Sequence, residues 1–156
     1  MVRVKYRYIV SELVTDKHQH LIKLPVKEKD IKNTVLDMVN EIHGDFGVSC
    51  ILAGFSIKLF NPVTRIVIFR ARRQHHNILS TALPLITAVG KMKLIMRTLK
   101  LSGTIRSASK FIIAYDNAKL IDMVHQLQIA PNMEKELKEL LENCHHRLAK
   151  KKLDMH

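Results

Sequence analysis

The sequence ILAGFSIKLFNPVTRIVIFRA, residues 51–71 of 156, gives the clearest structural pattern in the chain. Apolar residues alternate with other residues within Gly47–Phe60, and a second apolar run covers Ile66–Ala71. The intervening Asn61-Pro62-Val63-Thr64 has the residue types that form tight turns. Two strands joined by a hairpin are therefore predicted.

The elements outside this hairpin follow from the same periodicity. Tyr6–Val14 is rich in β-branched and aromatic residues and is predicted to form the first strand, and the helix after it should end at Gly44. The predicted elements after the hairpin are a helix over Gln74–Val89 bent at Pro84, a fourth strand over Lys91–Leu101, a helix over Ile105–Leu127 and a final helix after Pro131.

This order predicts an α+β protein with the ferredoxin-like split βαβ sandwich, which RNA-recognition motifs share. Its core would be a four-stranded antiparallel sheet with two helices on one face, followed by additional C-terminal helices. We expect a ferredoxin-like domain that binds RNA and protein over residues 1–128 and a basic helical extension over residues 129–156.

The charge of the chain is concentrated in its middle. No aspartate or glutamate occurs in the seventy-residue stretch that Phe46 and Tyr115 delimit, whereas eleven of the 26 Lys and Arg residues lie there. The other 15 basic residues face all 14 acids, so this apolar, folded segment carries nearly all of the net charge of +12. A folded surface with one sign of charge is expected to bind polyanions.

Two cysteines, Cys50 and Cys144, match no metal or redox spacing, which predicts reduced thiols in an intracellular protein. No apolar run approaches the roughly twenty residues that a membrane span needs, so no membrane partner is expected.

Two groups of residues are candidates for anion binding. Arg70 and Arg72 alternate onto one face of the third strand, and Arg73, His75 and His76 follow; phosphate contact is favoured over a solvated edge or pairing with a distant acid. The second group is Ser102-Gly103-Thr104-Ile105-Arg106 with Lys110, at the start of a helix. Helix capping explains its Ser and Thr equally well, so both interpretations stay open.

Other functions have weaker support in the sequence. The third strand lacks the aromatic pattern with which RNA-recognition motifs stack bases, and Phe55 and Phe69 are predicted to be core residues. The paired histidines have no acidic or cysteine partners at metal-ligand spacing. A phosphatase would need an anion-binding loop after strand one, but Thr15–His20 contains neither arginine nor glycine.

Four motifs in order carry a family resemblance: residues 1–8, the block His43-Gly44-Asp45-Phe46-Gly47, the run Ile66–Arg72, and Leu101–Arg106. Over about residues 1–125 the chain resembles the Pop-type small protein subunit shared by ribonuclease P and ribonuclease MRP in its eukaryotic form. It departs from that family in the third strand, which usually starts with a glycine and has a cysteine between its arginines. Arg65 and Ala71 occupy those positions here.

The resemblance implies a nuclear and nucleolar, non-catalytic subunit that supports 5′ maturation of precursor tRNA and ribosomal RNA processing. The catalyst would be the RNA, which holds the magnesium ions, so no cofactor bound by the protein is expected. Implied partners are the catalytic RNA of ribonuclease P or MRP, precursor tRNA, other particle proteins and a barrel-shaped subunit of about thirty kilodaltons, by analogy with the family.

With the resemblance added, the whole Ser102–Arg106 string is predicted to be a functional loop. The predicted RNA-binding residues are Arg3, Lys5, Arg7, Arg65, Arg70, Arg72, Arg73, Ser102, Gly103, Thr104, Arg106 and Lys110. Leu83, Leu85 and Ile86 are predicted to bind protein. The alternatives are an autonomous single-stranded RNA-binding protein, a structural adaptor whose basic surface only assists assembly, and a small hydrolase.

Overall fold

The structure of the protein is a computed structural model that describes residues 3–15, 23–127 and 131–153. Its elements, in order, are β1 (Tyr6–Val14), α1 (Glu28–Leu52), β2 (Ser56–Asn61), β3 (Ile66–Arg72), α2 (His76–Ala82), a 3₁₀ turn (Leu83–Leu85), β4 (Ala88–Val89), β5 (Met92–Lys93), β6 (Ile95–Ser102), α3 (Ile105–Leu127) and α4 (Pro131–Leu153). The predicted α+β class with C-terminal helices is confirmed.

The main sheet has four strands in the order β2-β3-β1-β6, and every neighbouring pair is antiparallel. This order places β1 and β3 at the centre, as the split βαβ arrangement requires. The short strands β4 and β5 pair only with each other. The prediction of a ferredoxin-like sheet from the order of the elements is therefore confirmed.

One face of this sheet packs on α1 and α2. Every second residue of β1 and β3 points into this core, including Ile9 and Leu13 from β1 and Phe69 from β3. Phe55, just before β2, stacks on Phe69 with 6.1 Å between ring centroids. Both rings are buried, so the prediction that they are core residues is confirmed.

Gly44 interrupts α1 but does not end it. Its backbone has φ 60° and ψ −165°, outside the helical region, and the helix resumes and continues to Leu52. The predicted extended segment from Gly47 is therefore wrong as far as Leu52. The alternating pattern misled because Ile51 and Phe55 are also four residues apart, a spacing that equally suits one side of a helix.

The block His43–Gly47 shapes this kink. A Cβ atom added at Gly47 would lie 2.3 Å from the Cβ atom of His43. The His43 ring also forms a hydrogen bond with the Thr81 hydroxyl of α2, with 2.9 Å between Nε2 and Oγ1. Gly44 thus provides the non-helical backbone of the kink, and Gly47 leaves room for His43, whose hydrogen bond to Thr81 links α1 to α2.

Pro84 ends the second helix earlier than predicted. The last α-helical hydrogen bond runs from the Leu83 N–H to the Leu79 carbonyl, because Pro84 has no N–H to donate, and one 3₁₀ turn follows. The chain then forms the β4–β5 hairpin, in which Gly90 adopts φ +59°. The predicted fourth strand is accordingly divided between β5, in this hairpin, and β6, in the main sheet.

The turn between β2 and β3 contains Arg65, which has φ 60° and is the one described non-glycine residue with positive φ. That conformation favours glycine, because a Cβ atom crowds the following carbonyl. The Arg65 guanidinium donates a hydrogen bond from Nη1 to the Thr15 hydroxyl at 3.1 Å. Arg65 therefore combines a positive-φ backbone with a side-chain contact to the end of β1.

A bulge lies between β1 and β6. Val10 is opposite Lys100 and the next residue, Ser11, is opposite Thr98, so Leu99 is the extra residue of β6. Beyond the bulge, Leu101 lies opposite Ile9.

The chain divides into two compact units, Met1–Thr104 and Ile105–His156. In the second unit α3 packs on α4, where the His145 ring and the Asp116 carboxylate are 3.3 Å apart. The boundary predicted after residue 128 falls between these two helices and stays a prediction. Within the described residues no helix is both long and apolar enough to cross a membrane.

Gly47→Ala is expected to lower the free energy of unfolding by about 1–3 kcal/mol, because the new methyl group overlaps the base of His43. Urea denaturation measures the loss. Ser49→Ala, at an exposed position of the same helix, serves as the control and should change stability by less than about 0.5 kcal/mol. Equal stability of the two variants would contradict this account of the kink.

Arg65→Gly is expected to be about 1 kcal/mol more stable than Arg65→Ala, because both lose the side chain but only alanine is strained at φ 60°. Urea midpoints of the two variants test the difference. At the neighbouring Thr64, which lacks positive φ, the order should reverse, with alanine the more stable residue. The same order at both positions would refute the assignment.

Candidate nucleic-acid interface

The start of β1 and the ends of β3 and β6 lie at one end of the sheet. Tyr6 is opposite Arg72, and Tyr8 is opposite Ser102. The Arg73 backbone N–H donates to the Lys5 carbonyl at 2.9 Å, which continues the ladder beyond β3. We call this end, formed by Lys5, Arg7, Arg70, Arg72, Arg73 and Gly103, the basic end of the sheet.

The structure places Arg70 and Arg72 on one sheet face, as the alternation predicts. The Arg70 guanidinium lies over the Tyr6 ring, with its Cζ atom 4.5 Å from the ring centroid. Arg72 crosses Gly54, where an added Cβ atom would come within 2.6 Å of its Cγ atom. The Nε atoms of both arginines are buried and have no hydrogen-bond partner among the described residues.

Lys58 of β2 is a neighbour of this pair. Burial, and then the positive charge of Arg70, lower the pKa of its ammonium group from the ordinary value of 10.5. Ser56, two residues earlier, lies opposite Arg70. Lys58 and Arg70 are thus close enough to repel each other, and Arg72 lies two residues from Arg70 on the same face of the sheet.

Arg7 and Gly103 meet at the end of β6. The Arg7 Nη1 atom lies 3.5 Å from the position of a Cβ atom added at Gly103, which is ordinary van der Waals contact. Gly103 does not have positive φ. Neither space nor backbone conformation therefore requires glycine here.

The other predicted RNA-binding residues have varied positions. Arg3 and Thr104 are exposed, but the Ser102 side chain is buried and its hydroxyl has no partner among the described residues, so it presents no surface to RNA. Arg106 and Lys110 are exposed in the first turns of α3, four residues apart and hence on one side of that helix.

Arg65 does not join the basic end. It precedes β3, and its carbonyl accepts a hydrogen bond from the Leu13 N–H at 2.8 Å, near the opposite end of β1. Seven residues of strand separate it from Arg72, roughly 23 Å at 3.3 Å per residue. Arg65 is therefore far from Arg70 and Arg72, and its predicted contact with RNA, which would be separate from theirs, stays a prediction.

The predicted protein-binding residues are also separated. Leu83 and Ile86 are fully buried in the core with α1 and α2, because the 3₁₀ turn directs both inward. They are not available to a partner in this structure, which corrects the prediction. Leu85 is 54% exposed and remains a candidate.

One cation of the acid-free segment is paired with an acid from outside it. Arg97 of β6 donates from Nη2 to the buried Glu12 carboxylate of β1 at 2.5 Å. No group of three or more His, Cys, Asp or Glu side chains among residues 3–15, 23–127 and 131–153 could hold a metal ion. The segment considered for a phosphatase loop lies largely outside these ranges.

Sequence reasoning missed Tyr6 and Lys58 as site residues. Tyr6 lies between the basic residues Lys5 and Arg7 of the first strand but carries no charge itself, and Lys58 is the one basic residue of the second strand. The sequence offered one indication of their role: in the predicted sheet order, β1 and β2 both flank β3, the strand that carries Arg70. Pairing register was needed to place them on the same face.

A ferredoxin-like domain with arginines at one end of its sheet that lack a carboxylate partner among the described residues defines a protein suited to binding polyanions. The comparisons with known proteins are more specific. The model of the Rpp14/Pop5 family matches residues 7–113. The chain therefore belongs to the Rpp14/Pop5 family.

Curated relatives extend the similarity over most of the chain. It is 30% identical to the human ribonuclease P/MRP protein subunit POP5 over 148 residues, which cover 92% of this chain and 90% of that protein. It is 36% identical to ribonuclease P protein component 2 of Pyrococcus horikoshii over 115 residues, covering 73% and 88%.

A solved structure supports the fold. A chain in the cryo-EM structure of yeast ribonuclease MRP superimposes with a TM-score of 0.50 at 10% identity, covering 76% of this chain and 96% of that chain.

Gly103→Ala is expected to leave stability within about 0.5 kcal/mol of the wild type, since a Cβ atom meets only Arg7 there. If RNA approaches the backbone at this loop, the same variant should bind RNA about fivefold more weakly, the equivalent of one lost hydrogen bond. Thermal unfolding and RNA affinity separate the two effects. Unchanged affinity would remove Gly103 from the interface.

Proposed function

We propose that this chain is a non-catalytic protein subunit of the ribonuclease P and ribonuclease MRP ribonucleoproteins. The observation that carries the proposal is that the family match over residues 7–113 includes most of the basic end of the sheet. Relatives that align with most of this chain are named as subunits of these particles.

The proposed role of the basic end is to neutralise phosphates of the particle RNA. Arg72 ends β3 opposite Tyr6, between Lys5 and Arg7, and Arg73 follows it with its N–H bonded to the Lys5 carbonyl. Arginine forms forked hydrogen bonds with phosphate oxygens, and phosphate contacts fix position rather than read sequence. Such a surface suits a protein that holds a structured RNA. Arg106 and Lys110 are proposed as a second group of phosphate contacts on α3.

The chemistry is assigned to the RNA, with magnesium ions held there. In this proposal the particle removes 5′ leaders from precursor tRNA and processes ribosomal RNA, and the protein acts in the nucleus and nucleolus. These assignments rest on the family relationship.

The proposed protein partners are the barrel-shaped subunit of about thirty kilodaltons and other particle proteins, by analogy with the family. In the N-terminal unit, exposed Leu85 is the remaining candidate contact from the predicted protein-binding set. A subunit of this kind should gain stability when its partner binds only the folded state.

Co-purification of the tagged chain from cells, followed by RNA sequencing and a precursor tRNA cleavage assay, tests the proposal. Recovery of ribonuclease P and MRP RNAs with cleavage activity is expected. The Arg7→Ala/Arg73→Ala variant should recover less RNA, and the slope of its log affinity against log salt should fall by about one for each lost phosphate contact.

Lys29→Ala/Lys32→Ala is the matched control, since it removes two exposed charges from α1, away from the basic end. It should retain wild-type recovery and salt dependence. Recovery of unrelated single-stranded RNAs without the particle RNAs would favour an autonomous RNA-binding protein and overturn the proposal. Equal behaviour of the two double variants would remove the basic end from RNA binding.

A further inference from the structure

We infer that Tyr6, Lys58, Arg70 and Arg72 form a subsite for one unpaired nucleotide of RNA, and that Gly54 is its positioning residue. The inference rests on the proposed function and deepens it. Phosphate neutralisation alone would bind an unpaired strand and a duplex alike, and would give every arginine of the basic end the same role.

The members of this subsite come from three adjacent strands. Tyr6 lies opposite Arg72 on β1 and β3, and Arg70 reaches diagonally across to the Tyr6 ring, 4.5 Å from its centroid. Lys58 on β2 is close enough to Arg70 for their charges to interact. An aromatic ring and three cations therefore occupy one corner of the sheet.

The three cations lack a carboxylate partner among the described residues. Repulsion between Lys58 and Arg70 destabilises the folded protein, and the partial burial of Lys58 adds to this cost. A phosphate bound among the three cations would attract each of them and so offset this repulsion. The arrangement thus favours an anionic ligand.

The two arginines also have donors to spare. Nε of Arg70 and Nε of Arg72 are buried without an acceptor among the described residues, although leaving a buried donor unsatisfied destabilises a protein. Neither guanidinium is held in place by a protein oxygen in the part of the chain that the structure describes. Both side chains can therefore reorient to give a phosphate the two parallel hydrogen bonds that arginine forms best.

Gly54 makes room for this cluster. A Cβ atom there would lie 2.6 Å from Cγ of Arg72 and 3.4 Å from Cε1 of Tyr6. Gly54 does not have positive φ, so its backbone does not require glycine. Glycine is required at this position because Arg72 needs the space. Any larger residue would push the Arg72 side chain away, beginning at its Cγ atom.

The Tyr6–Arg70 pair selects an unpaired nucleotide. Bases stack on aromatic rings and on guanidinium planes only when they are free of a partner strand, and A-form duplexes hide their base faces. A site for duplex phosphates would need cations but no ring. The combination of ring, guanidinium and neighbouring ammonium fits a base with its adjoining phosphate.

Fluorescence anisotropy of the full chain with an oligouridylate of about ten nucleotides, compared with an RNA duplex of equal length, tests the ligand class. Arg70→Lys keeps the charge but loses the planar fork, and should weaken binding of the single strand about tenfold, in the range of one lost stacking contact, while duplex binding changes less than twofold. Arg97→Lys, on β6 beside Glu12, is the conservative control and should bind as the wild type does.

Gly54→Ala tests the positioning role without removing any charge. It should weaken oligouridylate binding about as much as Arg72→Ala does, and the double variant should bind no more weakly than Arg72→Ala alone. Circular dichroism spectra and melting curves check that each variant is folded. Additive losses in the double variant would show that Gly54 acts elsewhere and would overturn its role.

The outcomes separate this inference from the proposed function. If Arg70→Lys binds both RNAs as the wild type does, or loses both equally, the nucleotide subsite is refuted, and co-purification with ribonuclease P and MRP RNAs is unaffected by that result. If the single-strand defect appears but those RNAs do not co-purify, the subsite stands and the proposed function fails.

Discussion

The antiparallel pairing of β1 with β3 fixes the position of the basic side chains in the N-terminal unit. Ile9 lies opposite Phe69 in this register, and both are fully buried. Each such side chain stabilises the fold by about 1.5–3 kcal/mol, whereas an exposed charge rarely contributes more than about 1 kcal/mol. A slip of one residue would expose Phe69 and bury Arg70. Apolar burial on one face therefore determines where Arg70 and Arg72 stand on the other.

Much of the fold could be predicted from the sequence because strand and helix periodicities are local. The order of the main sheet elements and the β2–β3 hairpin followed from those patterns. The errors arose where two local interpretations competed. Alternation in Gly47–Phe60 matched a strand, but the helix resumed beyond Gly44 and used Ile51 as a core residue. Pro84 was read as a bend, whereas it ended α2 and allowed a separate hairpin to form.

The candidate site was only partly accessible to sequence reasoning. Alternation within one strand placed Arg70 and Arg72 together, because that relation depends on neighbouring residues alone. The contributions of Tyr6 and Lys58 depend on register between strands, which the sequence does not specify directly. The sequence also did not show how far Arg65 lies from Arg70 and Arg72, because that distance depends on its position before β3, beside Leu13 of β1.

The bulged residue in β6 determines on which face of the sheet the side chains at the end of that strand lie. If β6 kept the register of its first half and Leu99 were paired instead of bulged, Lys100 would lie opposite Ile9, on the face of the sheet that carries the apolar core. At the bulge, the alternation of β6 side chains between the two sheet faces shifts by one residue. Met96, before the bulge, packs in the core, whereas Lys100, after the bulge, lies on the opposite face. The insertion also carries Gly103 one residue further along β1, level with Arg7. One bulged residue thus lets a single strand place apolar side chains in the core along its first half and still lead into a basic loop at its end.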